Sequence, residues 1–213
     1  MPAPSFVGRY CLFTAADKDA AGALIGADCP VGSPFSVEAD VDTGTGARAW
    51  LRNRFGARVG YLQGSDAETV QLALAKGWTC TALLASLYYR GGEEGTVYWG
   101  EVALMCYAPS AEMDAFAAGM GKLLADGTRP DVDLGKGAVE QIMAAGGAWT
   151  PSGRVPKLPE RPGNALVKDH ISFNERLIEM SRERKVGCMV VGWAFIALLV
   201  VGAVFLLRAM FGF

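Results

Sequence analysis

The spacing of apolar positions changes twice along this chain and then stops being a pattern at all. Residues 1–108 carry period-two signals. "ARAWLRNRFGARVGYL" (47–62) alternates apolar and arginine positions around an NRFG turn and predicts a β-hairpin. "WTCTALLASLYY" (78–89) and "TVYWGEVALMCYA" (96–108) are rich in β-branched and aromatic residues, and they predict two neighbouring strands joined by the polar turn RGGEEG. Between hairpin and strand pair, "SDAETVQLALAKG" (65–77) predicts a short helix, with Ser65 and Glu68 as a capping box and Gly77 as its stop.

After residue 108 the period lengthens to that of a helix. Met113, Phe116, Ala117, Met120 and Leu124 recur at helical spacing between a Ser110 N-cap and Gly127. A second helix is expected over 133–145, with Ile142 and Met143 on its inner face and Gly146 just beyond. Residues 151–163 hold four of the chain's ten prolines and read as an extended, semi-stiff linker. "PKLPER" within it has the form of a groove-binding PxxP ligand, but such matches are common by chance and the spacer reading is preferred. "ALVKDHISFNERLIEMSRERK" (165–185) predicts a stalk helix capped by Asp169, with a partial apolar stripe at Ile171, Leu177 and Ile178.

From Cys188 to Leu207 the amphipathic pattern disappears: twenty residues carry no charge, and twelve of them are Val, Ile, Leu or Phe. At about 1.5 Å each, a helix of that length spans roughly 30 Å, the thickness of a bilayer's hydrocarbon core. Arg182, Arg184 and Lys185 lie just upstream, with Lys168 and Arg176 further back, whereas only Arg208 lies downstream. Basic flanks resist translocation, so the upstream side is expected to stay cytoplasmic. The expected organisation is an α+β fold. It has a small β-rich, barrel-like module (1–108) and a two-helix extension packed on it (109–148). A Pro-rich linker (149–165), a juxtamembrane helix (166–185), one transmembrane helix (186–207) and a short extracytoplasmic tail (208–213) follow. That describes a single-pass, tail-anchored protein of the plasma membrane, its folded part in the cytoplasm.

Charge sharpens this picture. Net charge is only −2, but basic and acidic counts run 8 to 11 over residues 1–108 and reverse to 8 against 5 over 151–185. The five cysteines (Cys11, Cys29, Cys80, Cys106 and Cys188) are scattered and odd in number, which argues against a disulfide framework or a structural zinc site. Cys188 sits where an acyl group would be placed, but ordinary filler is the preferred reading. The opening residues show no signal-peptide pattern.

Candidate chemistry is sparse. The one histidine, His170, lies in the expected stalk, away from any triad. No HExxH, Walker A or Gly-x-Ser-x-Gly motif is present. "GTGARA" (44–49) fits a loose dinucleotide fingerprint, but it leads into a strand pattern where that site requires a helix. No catalytic residue, metal or cofactor is assigned. A concentrated feature remains. Arg48, Arg52, Arg54 and Arg58 fall within eleven residues that contain no acid, interleaved with Trp50 and Phe55 and close to Tyr61. Together they form a candidate cationic platform with stacking rings. The same pattern also suits a solvated sheet face, or a contact with protein or lipid.

The order of strand, turn, "VGYL" (59–62), capped helix ending in Lys-Gly, and strand resembles the HIRAN domain over residues 36–107. The family usually has Pro after Gly-Tyr-Leu, where this chain has Gln63, and its Asn/Asp-rich lead-in is reduced here to Asp42. The resemblance implies a small, mostly β module that binds a single-stranded nucleic-acid end. The reading is therefore a non-catalytic, membrane-tethered binding or scaffold protein. The alternative is a membrane-anchored, HIRAN-like binder of nucleic acid or another polyanion; an unrecognised enzyme ranks last. Expected partners are the lipid bilayer, a second copy through the stalk, another protein, or nucleic acid.

Arginines at Leu198 and Val200 would each cost about 2.5–3.5 kcal/mol at mid-membrane. The full chain should float with liposomes on a density gradient and the double variant should not. Equal flotation of both would remove the span.

Overall fold

A computed structural model describes residues 6–42, 46–91, 96–135, 137–159, 163–171 and 175. Their elements run β1 (Phe6–Ala15), α1 (Lys18–Ile25), β2 (Pro34–Asp42), β3 (Gly46–Arg52), β4 (Arg58–Gln63), α2 (Ser65–Ala75), β5 (Thr79–Arg90), β6 (Val97–Tyr107), α3 (Ala111–Ala125), α4 (Ala138–Ala144) and β7 (Asn164–Lys168). All belong to the first of two units, Met1–Ile171; the second, Ser172–Phe213, lies almost wholly outside the described residues. So do Arg182, Arg184, Lys185 and the expected transmembrane helix and tail. No helix among the described residues is long and apolar enough to cross a membrane.

The sheet runs β2-β3-β4-β1-β6-β5-β7, and β2 pairs back onto β5. Six antiparallel strands thereby close a barrel within an α+β fold. Closure uses only the first half of β5, with Pro34 opposite Leu83 and Ser36 opposite Thr81. The second half of the same edge takes β7, with Arg90 opposite Asn164. Alternation sends Cys11, Phe13, Leu51, Leu62, Val102 and Leu104 into a common interior. Phe13 fits there because both flanking strands present glycine: a Cβ on Gly60 would lie 2.8 Å from its Cδ2, and one on Gly100 2.6 Å from its Cε1. Helix α2 adds Ala67, Val70 and Ala73 to this interior.

A bulge at Leu84/Ser86 changes which residues of β5 face outward. Before it, Leu84 faces in and Leu83 faces out; after it, Leu87 faces in and Tyr88 faces out. The outer side of β1, β5 and β6 is covered at one end by α3, whose Met113, Phe116, Met120 and Leu124 pack on Leu83, Ala103, Met105 and Tyr107. Ser110 caps α3, its side chain accepting from Met113 N at 3.1 Å.

Four expectations need correction. Ser65 does not cap α2: the N-cap is Gly64, without a side-chain hydrogen bond, and the Ser65 carbonyl instead accepts from Arg9. Helix α4 starts at Ala138 after the left-handed Gly137, and buries Val139 and Ile142 while Met143 faces solvent. The proline-rich run is no free spacer at its start, because Asp131 N donates to Gly153 O and Val155 N to Arg129 O. The stalk helix does not begin at residue 166. Residues 164–168 form a strand because β5 offers an unpaired edge there, and Lys168 Nζ donates to the carbonyls of Gly26 and Cys29.

A buried ion pair ties the loop after α3 to the barrel. Arg129 Nη2 donates to Glu101 Oε2 at 2.8 Å, both side chains being 7% exposed, and the guanidinium lies over Tyr10. Truncating Glu101 to Ala strands a buried cation and should cost about 3–5 kcal/mol of unfolding free energy by denaturant titration. Replacing Glu101 by Leu and Arg129 by Met together should recover most of that loss.

Candidate binding site on the outer barrel face

The predicted hairpin forms as expected. Asn53 N donates to Ala57 O, Gly56 has positive φ, and Trp50 faces Tyr61 across β3 and β4. Arg48, Trp50 and Arg52 occupy alternate positions of β3, while Arg58 and Tyr61 face Arg52 and Trp50 across β4. Trp50 and Tyr61 meet edge to face at 5.2 Å. Arg58 lies over the Trp50 ring and Arg48 over Tyr61, each at 4.8 Å. Arg54 does not join them. It sits in the turn, 3.1 Å from Asp28 and stacked on Phe55.

The arginine face is not an open cationic platform, because β2 supplies acids directly alongside. Glu38 sits opposite Trp50 and Asp40 opposite Arg48. Glu38 holds Arg52 at 2.7 Å and Arg58 at 3.2 Å, and Asp40 accepts from the Trp50 indole at 3.2 Å. Hydrogen bonds from Arg52 and then Arg58 keep the Glu38 carboxyl below its usual pKa. Its clasp is therefore complete above the ordinary carboxylate range and lost as pH falls through the lowered value. Arg48 is the member of the set without a carboxylate contact among the described side chains. The acid-free window from 48 to 58 could not reveal this, since the neutralising residues come from the preceding strand.

A larger feature crosses the hairpin. Register places Trp50, Tyr61, Thr14, Trp99, Tyr88 and Leu166 side by side on β3, β4, β1, β6, β5 and β7. Trp99 and Tyr88 stack with centroids 4.5 Å apart and planes 15° from parallel. A cleft of about 450 Å³ opens above Thr14, walled by Tyr61 on one side and Trp99 on the other. Strands β1 and β4 pair only at Thr14–Tyr61 and Ala15–Gly60, so they part company there. Gln63 and Asp66 line one side of the cleft, and Arg90, Val97 and Asn164 line another. Asp66 is bonded to Arg9 at 3.1 Å. Arg90 is exposed and has no hydrogen-bonding or ionic partner among the described residues. The Asn164 Oδ1 is solvent-shielded and has no hydrogen-bond partner among the described residues.

This arrangement can stack rings and orient charge. The thiols are remote from such work: Cys11, Cys29, Cys80 and Cys106 are free and buried, with Cys29 pushed up to about 11 by burial. No group of three or more potential metal ligands occurs among the described residues. No known family model, curated protein or solved structure matches this chain. Of the cleft's residues, Tyr61 was legible in the sequence. Trp99 and Thr14 needed the register of β1, and Tyr88, which lies behind Trp99 rather than in the cleft, needed the bulge.

Glu38→Gln should release two guanidinium groups and move elution from a heparin column to higher salt. Unchanged elution would mean that Arg52 and Arg58 were never neutralised.

Proposed function

We propose that this chain is a non-catalytic, membrane-tethered binding or scaffold protein. Its α+β head sits on the cytoplasmic side of the plasma membrane, carried by a stalk helix and the span at 186–207. The observation that supports binding is the cleft above Thr14, which Tyr61 and Trp99 line from the strands on either side. Its volume is that of an ordinary ligand pocket, and its lining sets the rings of Tyr61 and Trp99 beside the polar groups of Gln63, Asp66, Arg90 and Asn164. The tether rests on the uncharged run from Cys188 to Leu207 and its basic upstream flank.

A HIRAN-like binder of a single-stranded nucleic-acid end or other polyanion is the second reading. Its support is Arg48, stacked over Tyr61 and without a described carboxylate partner. Salt-titrated binding of single-stranded DNA separates the two, since phosphate contacts give a steep salt slope. Arg48→Ala should flatten that slope only under the second reading.

Protease added to inverted membrane vesicles should release the head as a soluble fragment, while right-side-out vesicles should protect it. Protection in the inverted vesicles would contradict the proposed orientation.

A further inference from the structure

The row across the barrel has a gap of one ring. Trp50, Tyr61, Trp99 and Tyr88 supply an aromatic side chain from four strands, and the strand between them supplies Thr14. Each inner ring is already braced from behind, Tyr61 by Trp50 and Trp99 by Tyr88. Tyr61 and Trp99 stand two strand spacings apart, about 9.6 Å. A flat ring between two others needs about 3.5 Å on each side, roughly 7 Å in all. Thr14 is short and half-exposed, so it forms a floor that does not fill the slot.

Charge then selects among flat molecules. Asp66 is already bonded to Arg9, so it offers no free charge. Arg90 is exposed beside Val97 with no partner among the described residues, and it lines the cleft together with its cross-strand neighbour Asn164. Resting on the reading of this cleft as a ligand seat, we infer that it takes a small aryl anion. The ring slots between Tyr61 and Trp99 over Thr14, and the carboxylate or phosphate lies on Arg90. Bracing on both sides means little ordering is left to accompany binding.

Three probes share one ring: 2-naphthoate, 2-naphthyl phosphate and the neutral 2-naphthamide. Isothermal titration of each into the full chain in lipid nanodiscs, against empty nanodiscs, reads the affinity. The two anions should bind at least about tenfold more tightly than the amide, and Arg90→Gln should erase that margin. The tighter of the two anions names the headgroup. Thr14→Trp supplies the missing ring from the protein itself and should abolish binding of all three, with an unchanged melting transition. Should Thr14→Trp fail to fold, Arg90→Gln decides alone. Equal affinity for all three probes, insensitive to Arg90, would overturn the aryl-anion assignment while leaving the cleft as a ring-binding seat. Absence of binding by every probe, or binding that survives Thr14→Trp, would overturn the assignment and the seat together. Binding of single-stranded DNA with no naphthyl probe bound would instead assign the cleft to a nucleotide chain.

Discussion

One strand has to satisfy two architectures at once. Strand β5 pairs with β6 along its length, yet its other edge is divided between β2, which closes the barrel, and β7, which extends the sheet. The bulge at Leu84/Ser86 makes that division workable. It lets the first half of β5 turn Leu83 toward α3, and the second half turn Tyr88 toward Trp99. A regular strand would send Tyr88 inward and leave Trp99 unsupported, because one inserted residue exchanges the faces of everything beyond it. The aromatic row, the cleft and the seat for β7 all lie beyond that point.

The outer face is then divided by chemistry. At the α3 end it is apolar and covered, and the Glu101–Arg129 pair marks where cover stops. Beyond it the rings of Trp99 and Tyr61 meet solvent, and at the β2 side Glu38 and Asp40 clasp the arginines of the hairpin. Surface ion pairs of this kind contribute little to stability. Their consequence is electrostatic: a face that looks strongly cationic in one stretch of sequence is close to balanced once β2 lies beside it. Among the described residues, the cleft inherits one charge without a partner, on Arg90.

Much of this was legible in the chain. The β3–β4 hairpin, the β5–β6 pair, helix α3 with its Ser110 cap and the barrel-like α+β class follow from local periodicity and turn chemistry. Three kinds of information were not local. The bulge leaves no mark in the pattern of β5, where every residue from Ala82 to Tyr88 is buried and alternation is therefore silent. Strand β7 lacks any strong strand signal and forms because an edge is waiting for it, which overrode a helix reading of the same residues. Helix α1 is only eight residues of mixed Ala and Gly character, held by Asp17 accepting from Ala20 N at 2.7 Å. The candidate site fared similarly: Tyr61 and Trp50 were found as a hairpin feature, but Thr14, Trp99 and Arg90 join them only through register.

The most direct measurement is nuclear Overhauser spectroscopy on the full chain in nanodiscs, reading which β5 side chain touches the Trp99 ring. The bulged register predicts cross-peaks from the Tyr88 ring to Trp99 and from the Tyr61 ring to the Thr14 methyl. Cross-peaks from the Leu87 methyls to Trp99 in their place would mean an unbulged strand, and with it neither the aromatic row nor the slot.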